Sequence, residues 1–346
     1  MPLIFARTDE LASGNRITFI YIENKTNGQF SVVIPWMVPF GLTNLTKILT
    51  INGQKYVSRI YNRHTKNIES IKFEATITSY LSKQNLSFVV PVFLNTNAGK
   101  QYVHLSDGTL GAIVSFVEGT VPELSNIQQA EEFGRVVGEI TSVLSQYEAE
   151  LKYEGITFSR IYDLNPLADY HAVVTFFESP PIEIPETAIT FYKEMVSTLE
   201  QNKHELLELP KQLVHHDFLI YNLLAKDNRI HGVLDFDFTS IDFSFMEFTI
   251  SLNHVIQLTN GSWDLTEAFI RGYSRFRKST SREINQLQLL TQIYHIAVLH
   301  IYIGLYYSGK NIEQNFNYIL IQFLNRNDWL NKHQSSINQL LEKYLL

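Results

Sequence analysis

The segment from Leu213 to Phe238, LVHHDFLIYNLLAKDNRIHGVLDFDF, decides how the rest of this chain is read. Short apolar runs alternate in it with polar punctuation at turn-sized intervals, the pattern of short strands. His215, His216 and Asp217 follow Leu213 and Val214, and Asn222 comes five residues after Asp217. Ile230 to Leu234 is a further apolar strand with Asp235 at its end, thirteen residues beyond Asn222. That interval is room for one hairpin, which returns Asp235 beside Asn222. A plain hairpin with Asp and Asn in its turns has the same composition. The flanking strands and the β-rich region before them favour a site.

The pattern His215-x-Asp217-x-x-x-x-Asn222 has the spacing of a kinase catalytic loop. Phosphoryl transfer rests mostly on positioning and on neutralising dispersed negative charge. Mg²⁺ takes hard oxygen ligands and keeps several waters, so one carboxylate and one amide oxygen form a reasonable protein contribution. Asp235 and Asn222 supply that pair. Asp217 is a separate carboxylate, free to accept a proton from an attacking hydroxyl or to orient it. His215 is expected to hold the loop by hydrogen bonds. His215, His216 and His231 lack the i, i+4 spacing of common zinc sites.

Composition narrows the alternatives. The chain has 346 residues, 28 Lys and Arg, 35 Asp and Glu, a formal net charge of −7 and no cysteine. A disulfide framework, a thiolate metal site and a cysteine nucleophile are therefore excluded. The acidic balance argues against broad nucleic-acid binding and suits a small cationic ligand. The first ten residues, MPLIFARTDE, lack the apolar run of a signal peptide. Leu287 to Tyr307 is apolar but interrupted by Gln288, Thr291, Gln292, His295 and His300, so a buried core helix is expected and no membrane span. A cytoplasmic protein is the expectation.

Strand patterns dominate the first third: Ile17 to Ile22, Phe30 to Ile34 beyond the Asn27-Gly28 turn signal, Thr46 to Ile51, Lys55 to Tyr61, Phe88 to Leu94 and Ala112 to Val117. Ile68 to Lys83 has helical spacing. Helices dominate after Gly119, beginning with Ile127 to Glu148 behind Ser125 as its expected N-cap. The fold class is α+β with two lobes. Residues 1–114 form a β-rich N-terminal lobe whose first 40 residues are an extra segment, 115–119 a hinge, and 120–346 a mainly helical lobe.

These motifs resemble the aminoglycoside phosphotransferase/choline kinase family of small-molecule kinases, which includes type II homoserine kinases and antibiotic kinases. His215-His216-Asp217-Phe218 through Asn222 is similar to the family's H-G-D-x-x-x-x-N, and Gly232-Val233-Leu234-Asp235-Phe236 to its G-V-I-D-F. Phe269-Ile270-Arg271-Gly272-Tyr273 resembles its F-x-x-G-Y helix. Gly41-Leu42-Thr43-Asn44 and Tyr56-Val57-Ser58-Arg59-Ile60-Tyr61 resemble its first strands. The resemblance implies a two-lobed protein-kinase-like fold and transfer of phosphate from ATP or GTP, with Mg²⁺, to a hydroxyl of an amine-bearing small molecule. The acceptor expected first is an antibiotic. A metabolic acceptor such as homoserine or choline is the alternative, and a silent nucleotide-binding pseudokinase is another.

The resemblance also implies a nucleotide site. Gly41 would turn over the phosphates, Arg59 would pair with Glu74 and steady them, and the backbone of Ser115 to Glu118, including Val117, would meet the base. His216 stands where the family usually has Gly, and Arg59 where it usually has Lys, a different cation in geometry and hydration. No Walker A or G-x-G-x-x-G sequence occurs.

Overall fold

The computed structural model describes residues 3–10, 16–23, 36–37, 44–148 and 155–346. It divides into two compact units, Met1–Asn85 with Val89–Glu118, and Leu86–Phe88 with Gly119–Leu346.

In the first unit β1 (Leu3–Glu10) and β2 (Arg16–Glu23) form an antiparallel pair of their own. The expected strand Phe30 to Ile34 and its Asn27-Gly28 turn lie outside the described residues. A five-stranded antiparallel sheet follows in the order β3-β4-β5-β7-β6. It comprises β3 (Trp36–Met37), β4 (Leu45–Ile51), β5 (Gln54–Ile60), β6 (Val103–His104) and β7 (Leu110–Ser115). Asn52 and Gly53 both take positive φ between β4 and β5, as a tight hairpin requires. Helix α1 (Ile68–Leu81) lies between β5 and β6 in the chain and starts at Asn67, whose side chain accepts from the Ser70 N–H while the Ser70 hydroxyl accepts from the Asn67 N–H. Ile71 and Ala75 of α1 pack with Tyr61, Phe93, Ala112 and Val114 on one face of the sheet. Leu49, Ile51, Tyr56 and Ile113 form a separate apolar cluster.

Phe88 to Leu94 forms no regular strand, contrary to its pattern. Pro91 has no N–H to give a ladder, and the segment meets β7 only through separate bonds, Leu94 N–H to Ile113 O at 2.8 Å and Ser115 N–H to Val92 O at 2.9 Å.

The second unit is mainly helical. Helix α2 (Ile127–Leu144) is capped by Asn126 and not by Ser125, because it is the Asn126 side chain that accepts from the Gln129 N–H. The helix stops at Leu144, short of the expected Glu148. Helices α3 (Tyr170–Glu178) and α4 (Glu186–Asn202) lead to four short strands: β8 (Lys211–Val214), β9 (Leu223–Lys226), β10 (Arg229–Val233) and β11 (Ser240–Phe243). β9 pairs with β10 and β8 with β11, both antiparallel. Helices α5 (Met246–Leu258), α6 (Trp263–Tyr273), α7 (Ser281–Asn285), α8 (Leu287–Tyr307) and the 33-residue α9 (Glu313–Leu345) complete the unit.

Two contacts set its architecture. α2 and α6 approach so closely that a Cβ added to Gly134 would sit 1.9 Å from the Phe269 carbonyl oxygen, and one added to Gly272 would sit 2.0 Å from that of Glu131. α8 is long and apolar enough to cross a membrane by composition, so its polar interruptions do not decide the matter. Within the second unit, 72% of its most apolar stretch is buried inside the protein. His300 is satisfied there by the Tyr192 hydroxyl and the Ile161 carbonyl, and His295 by the Thr291 carbonyl.

Candidate active site

β8 delivers the chain to a sharp bend at His215 and His216. His216 takes φ +66°, a left-handed conformation that costs any residue with a Cβ. Its side chain offsets that cost. The ring stacks on Phe158 at 4.6 Å, Nε2 lies 3.0 Å from Asp242 Oδ2, and Nδ1 lies 3.1 Å from the Phe238 carbonyl. Asp242 is fully buried, which alone would raise its pKa. The His216 hydrogen bond and charge outweigh burial and bring it down to about 2.

His215 does a different job. It is fully buried, and burial lowers its pKa to about 3, so the ring is neutral and has one N–H. The Leu234 carbonyl, 3.0 Å from Nε2, can only accept, so Nε2 holds the hydrogen. Nδ1 is then an acceptor and takes the Asp217 N–H at 3.2 Å. One imidazole therefore ties the backbone of Asp217 to the residue before Asp235. The His215 N–H itself donates to Glu247 Oε2 at 2.5 Å. Burial pushes the Glu247 carboxyl up to about 7, and its other oxygen, Oε1, has no hydrogen-bond partner. Asp242 and Glu247 are thus internal supports of the loop.

Asn222 closes the loop from the other side. Its Nδ2 donates to the Asp217 carbonyl at 2.8 Å and to Asp217 Oδ2 at 2.7 Å. With both amide hydrogens committed, the amide oxygen is the atom left to face a ligand. The Leu234 N–H donates to the Asn222 carbonyl at 2.8 Å, so the β9–β10 hairpin does bring Asp235 back to Asn222. Asp235 also takes positive φ, +61°, which aspartate tolerates better than most residues.

Burial raises the Asp217 pKa well above the carboxylate range, and the Asp235 and Asp237 charges raise it further while the Asn222 bond opposes them. Several carboxylates and an amide oxygen in one place are hard donors with an excess of negative charge. That donor set fits a divalent cation such as Mg²⁺ or Ca²⁺ and suits no soft metal. No group of three His, Cys, Asp or Glu that could hold a metal exists among the described residues.

In the first unit, Arg59 of β5 and Glu74 of α1 form a buried ion pair. Tyr61 adds its ring beneath the guanidinium at 5.3 Å. Ser115 is committed to the sheet: its N–H donates to Val92 and its hydroxyl accepts the Val92 N–H at 2.9 Å. Val117 is buried just beyond the end of β7. Gly41 lies outside the described residues. Where Glu118 ends the first unit, Gly119 takes φ +146°, and a Cβ on it would meet the Ala225 carbonyl and the Leu224 Cβ at 2.9 Å. Thr120 and Ala225 bridge there through two backbone hydrogen bonds.

Two residues within electrostatic reach of Asp217 carry no sequence motif. Tyr294 and Tyr302 of α8 both feel the Asp217 charge, and Tyr294 also feels Arg326 of α9. Their i, i+8 spacing puts both tyrosines on one face of α8, but among 18 tyrosines that spacing has no distinguishing mark.

The loop and the returning aspartate have the layout of a kinase catalytic loop, and the first unit separately carries the buried Arg–Glu pair. The chain belongs to the phosphotransferase enzyme family (APH), whose model matches residues 38–283. It is 24% identical over 254 residues to a homoserine kinase of Sinorhizobium fredii, covering 73% of each chain, and 25% identical over 254 residues to a homoserine kinase of Rhizobium meliloti, with the same coverage. The solved structure of amicoumacin kinase hAmiN with AMP-PNP, Ca²⁺ and Ami aligns with a TM-score of 0.64 at 17% identity, over 86% of this chain and 88% of that one. A microcompartment-associated aminopropanol kinase aligns at 0.67 and 14% identity, over 88% and 93%. The α+β, protein-kinase-like fold class is therefore as the motifs implied, and the chain is a small-molecule kinase.

Proposed function

We propose that this protein transfers the terminal phosphoryl group of ATP or GTP, with Mg²⁺, to a hydroxyl of a small amine-bearing metabolite in the cytoplasm. The observation that carries the reading is the arrangement around His215, which holds Asp217, Asn222 and Asp235 in one loop pair. Asp217 would orient the acceptor hydroxyl and take its proton as the oxygen attacks phosphorus and the nucleoside diphosphate departs. Asn222, through its amide oxygen, and Asp235 would hold the cation. When bound, Mg²⁺ would neutralise phosphate charge and relieve the crowding of carboxylates about Asp217.

Arg59, aligned by Glu74, is proposed to steady the nucleotide phosphates, a role in which a planar guanidinium can bind two oxygens at once. Residues 115–119 are proposed as the connector between the lobes, with base recognition falling to the backbone at Val117, since Ser115 is occupied by Val92. The homoserine kinase relatives favour a metabolic acceptor over the antibiotic expected first.

The test is turnover of ATP and GTP with Mg²⁺ across homoserine, 3-aminopropanol, choline and an aminoglycoside, with product mass read for an added phosphate. Phosphorylation of one of the first three, abolished in Asp217→Asn, supports the reading. Phosphorylation of the aminoglycoside alone restores the antibiotic reading. Failure to bind Mg-nucleotide overturns both.

A further inference from the structure

α5 turns one face toward the catalytic loop. Glu247, Ser251 and His254 are spaced four and three residues apart, which puts them on one side of the helix, and all three are buried. They meet the loop at every third residue. Glu247 accepts from the His215 N–H at 2.5 Å, the Ser251 hydroxyl donates to the Phe218 carbonyl at 3.0 Å, and the His254 ring stands edge-on to Tyr221 at 5.4 Å. The three helix residues span roughly 10 Å, about half the reach of the facing loop residues if these were extended. The loop is therefore folded on itself between its holds.

The middle hold is the one nearest the chemistry. A buried helical hydroxyl commonly returns its hydrogen to the carbonyl four residues back. Thr249 of the same helix does so, to Phe245 at 2.9 Å, whereas Ser251 reaches out to the loop. The Phe218 carbonyl and the Leu219 N–H belong to one planar trans peptide, so they point in opposite directions. The Phe218 ring is fully buried, stacked on Phe133 at 6.3 Å and edge-on to His215 at 5.3 Å. Ser251 sets what the ring leaves free, the plane of that peptide. With the carbonyl turned to Ser251, the Leu219 N–H donates to the Asp217 carbonyl at 2.8 Å. The same carbonyl takes the Asn222 amide at 2.8 Å, and that amide also donates to Asp217 Oδ2.

We infer that Ser251 is a positioning residue for phosphoryl transfer, acting through the Phe218–Leu219 peptide to seat Asp217 against Asn222. This rests on the phosphotransfer reading above, but its own observation is separate: a buried helix hydroxyl spent on the loop and not on its own helix. Without that hydroxyl the Phe218 carbonyl would lie in the core with no donor, and the peptide would turn to find one. The Leu219 N–H would swing with it, and Asp217 would lose its alignment while every reacting group stayed present.

Turnover with Mg-ATP, on the acceptor that the wild type phosphorylates, would compare the wild type with Ser251→Ala, Ser251→Thr and Thr249→Val. Ser251→Ala should lower kcat by roughly ten- to hundred-fold, the cost of a misplaced reacting group, and leave the nucleotide KM within about two-fold. Ser251→Thr keeps the donor and should recover most of the loss. Thr249→Val removes a buried hydroxyl that never leaves its helix and should leave kcat unchanged. Combined with Asp217→Asn, Ser251→Ala should cost nothing further, because the group it positions is already gone. Should the alanine variant fail to fold, Ser251→Cys, a poor donor of similar size, takes its place in every arm. An unchanged kcat in Ser251→Ala, an equal loss in Thr249→Val, or the same fall with and without Asp217 overturns the inference. Amide hydrogen exchange over residues 214–223 needs no turnover: Ser251→Ala should speed it by about ten-fold or more, and unchanged exchange also overturns the inference. Faster exchange in a protein that transfers no phosphate would confirm the hold and defeat the phosphotransfer reading. Full wild-type phosphorylation by Ser251→Ala would do the reverse.

Discussion

His215 and His216 are neighbours in the chain with the same side chain and opposite tasks. His215 is a neutral crosslink whose tautomer is set by the Leu234 carbonyl, and His216 is a buried partner for a carboxylate. The exchange of His216 for glycine, the residue usual in the family, would relax the backbone at φ +66° but leave Asp242 buried without its partner. The loss outweighs the relief, and we expect His216→Gly to destabilise the fold by about 3–5 kcal/mol in urea unfolding. Asp242 also sets an acid limit. Its pKa falls from an ordinary 3.8 to about 2 on folding, so between those values the unfolded chain binds more protons. The carboxylate thus contributes about 2 kcal/mol above pH 4, lost as the pH drops from 4 toward 2. Unfolding of wild type and Asp242→Asn across that window should show the slope in the first and not in the second. Asp217→Asn should lower turnover by two to four orders of magnitude, about the worth of a positioned base, while nucleotide binding persists in a titration. The spacing of Asp217 and Asn222 was readable in the sequence because both belong to one short loop. What compensates His216 was not, since Asp242 and Phe158 arrive from 26 and 58 residues away.

At the scale of elements, patterns that depend on neighbours in sequence translated well and those that depend on competition did not. β4, β5, α1, β7 and α8 fall within a few residues of their expected spans. Ser125 and Asn126 are both good caps, and only backbone geometry chooses between them. Phe88 to Leu94 has strand composition, but Pro91 denies it a ladder. The contact between α2 and α6 is written as glycines, a signal with no periodicity of its own. Gly272→Ala would press a methyl onto the Glu131 carbonyl, and the two helices would have to separate. We expect a loss of at least about 1–3 kcal/mol, seen as a lower midpoint in thermal or urea unfolding. The Arg271 and Arg275 ion pairs to Glu131 at the same seam cannot offset it, being partly exposed.

Across the whole molecule, the loop pair proposed to hold the cation is already tied together by protein hydrogen bonds from His215 and Asn222, so metal is expected to serve the reaction and not the fold. Chelation with EDTA should therefore stop phosphoryl transfer while leaving the melting curve in place; a large drop in melting temperature would contradict this. Residues such as Ser251, Tyr294 and Tyr302 were beyond the reach of sequence reading because they stand on helices whose pattern reports only the core. Their chemistry exists through contacts of the catalytic loop with α5, and of α5 and α8 with α9. The last of these has a further consequence. α9 is about 50 Å long and fills its seat with Phe316, Leu320, Phe323, Leu330 and Leu341, all buried. It leaves the ribosome after every element it packs against. At about 5–20 residues per second its 33 residues take roughly 2–7 s to synthesise. Throughout that interval the newborn helical unit presents an open apolar trough along α8, the kind of surface that chaperones shield and that crowded nascent chains stick by.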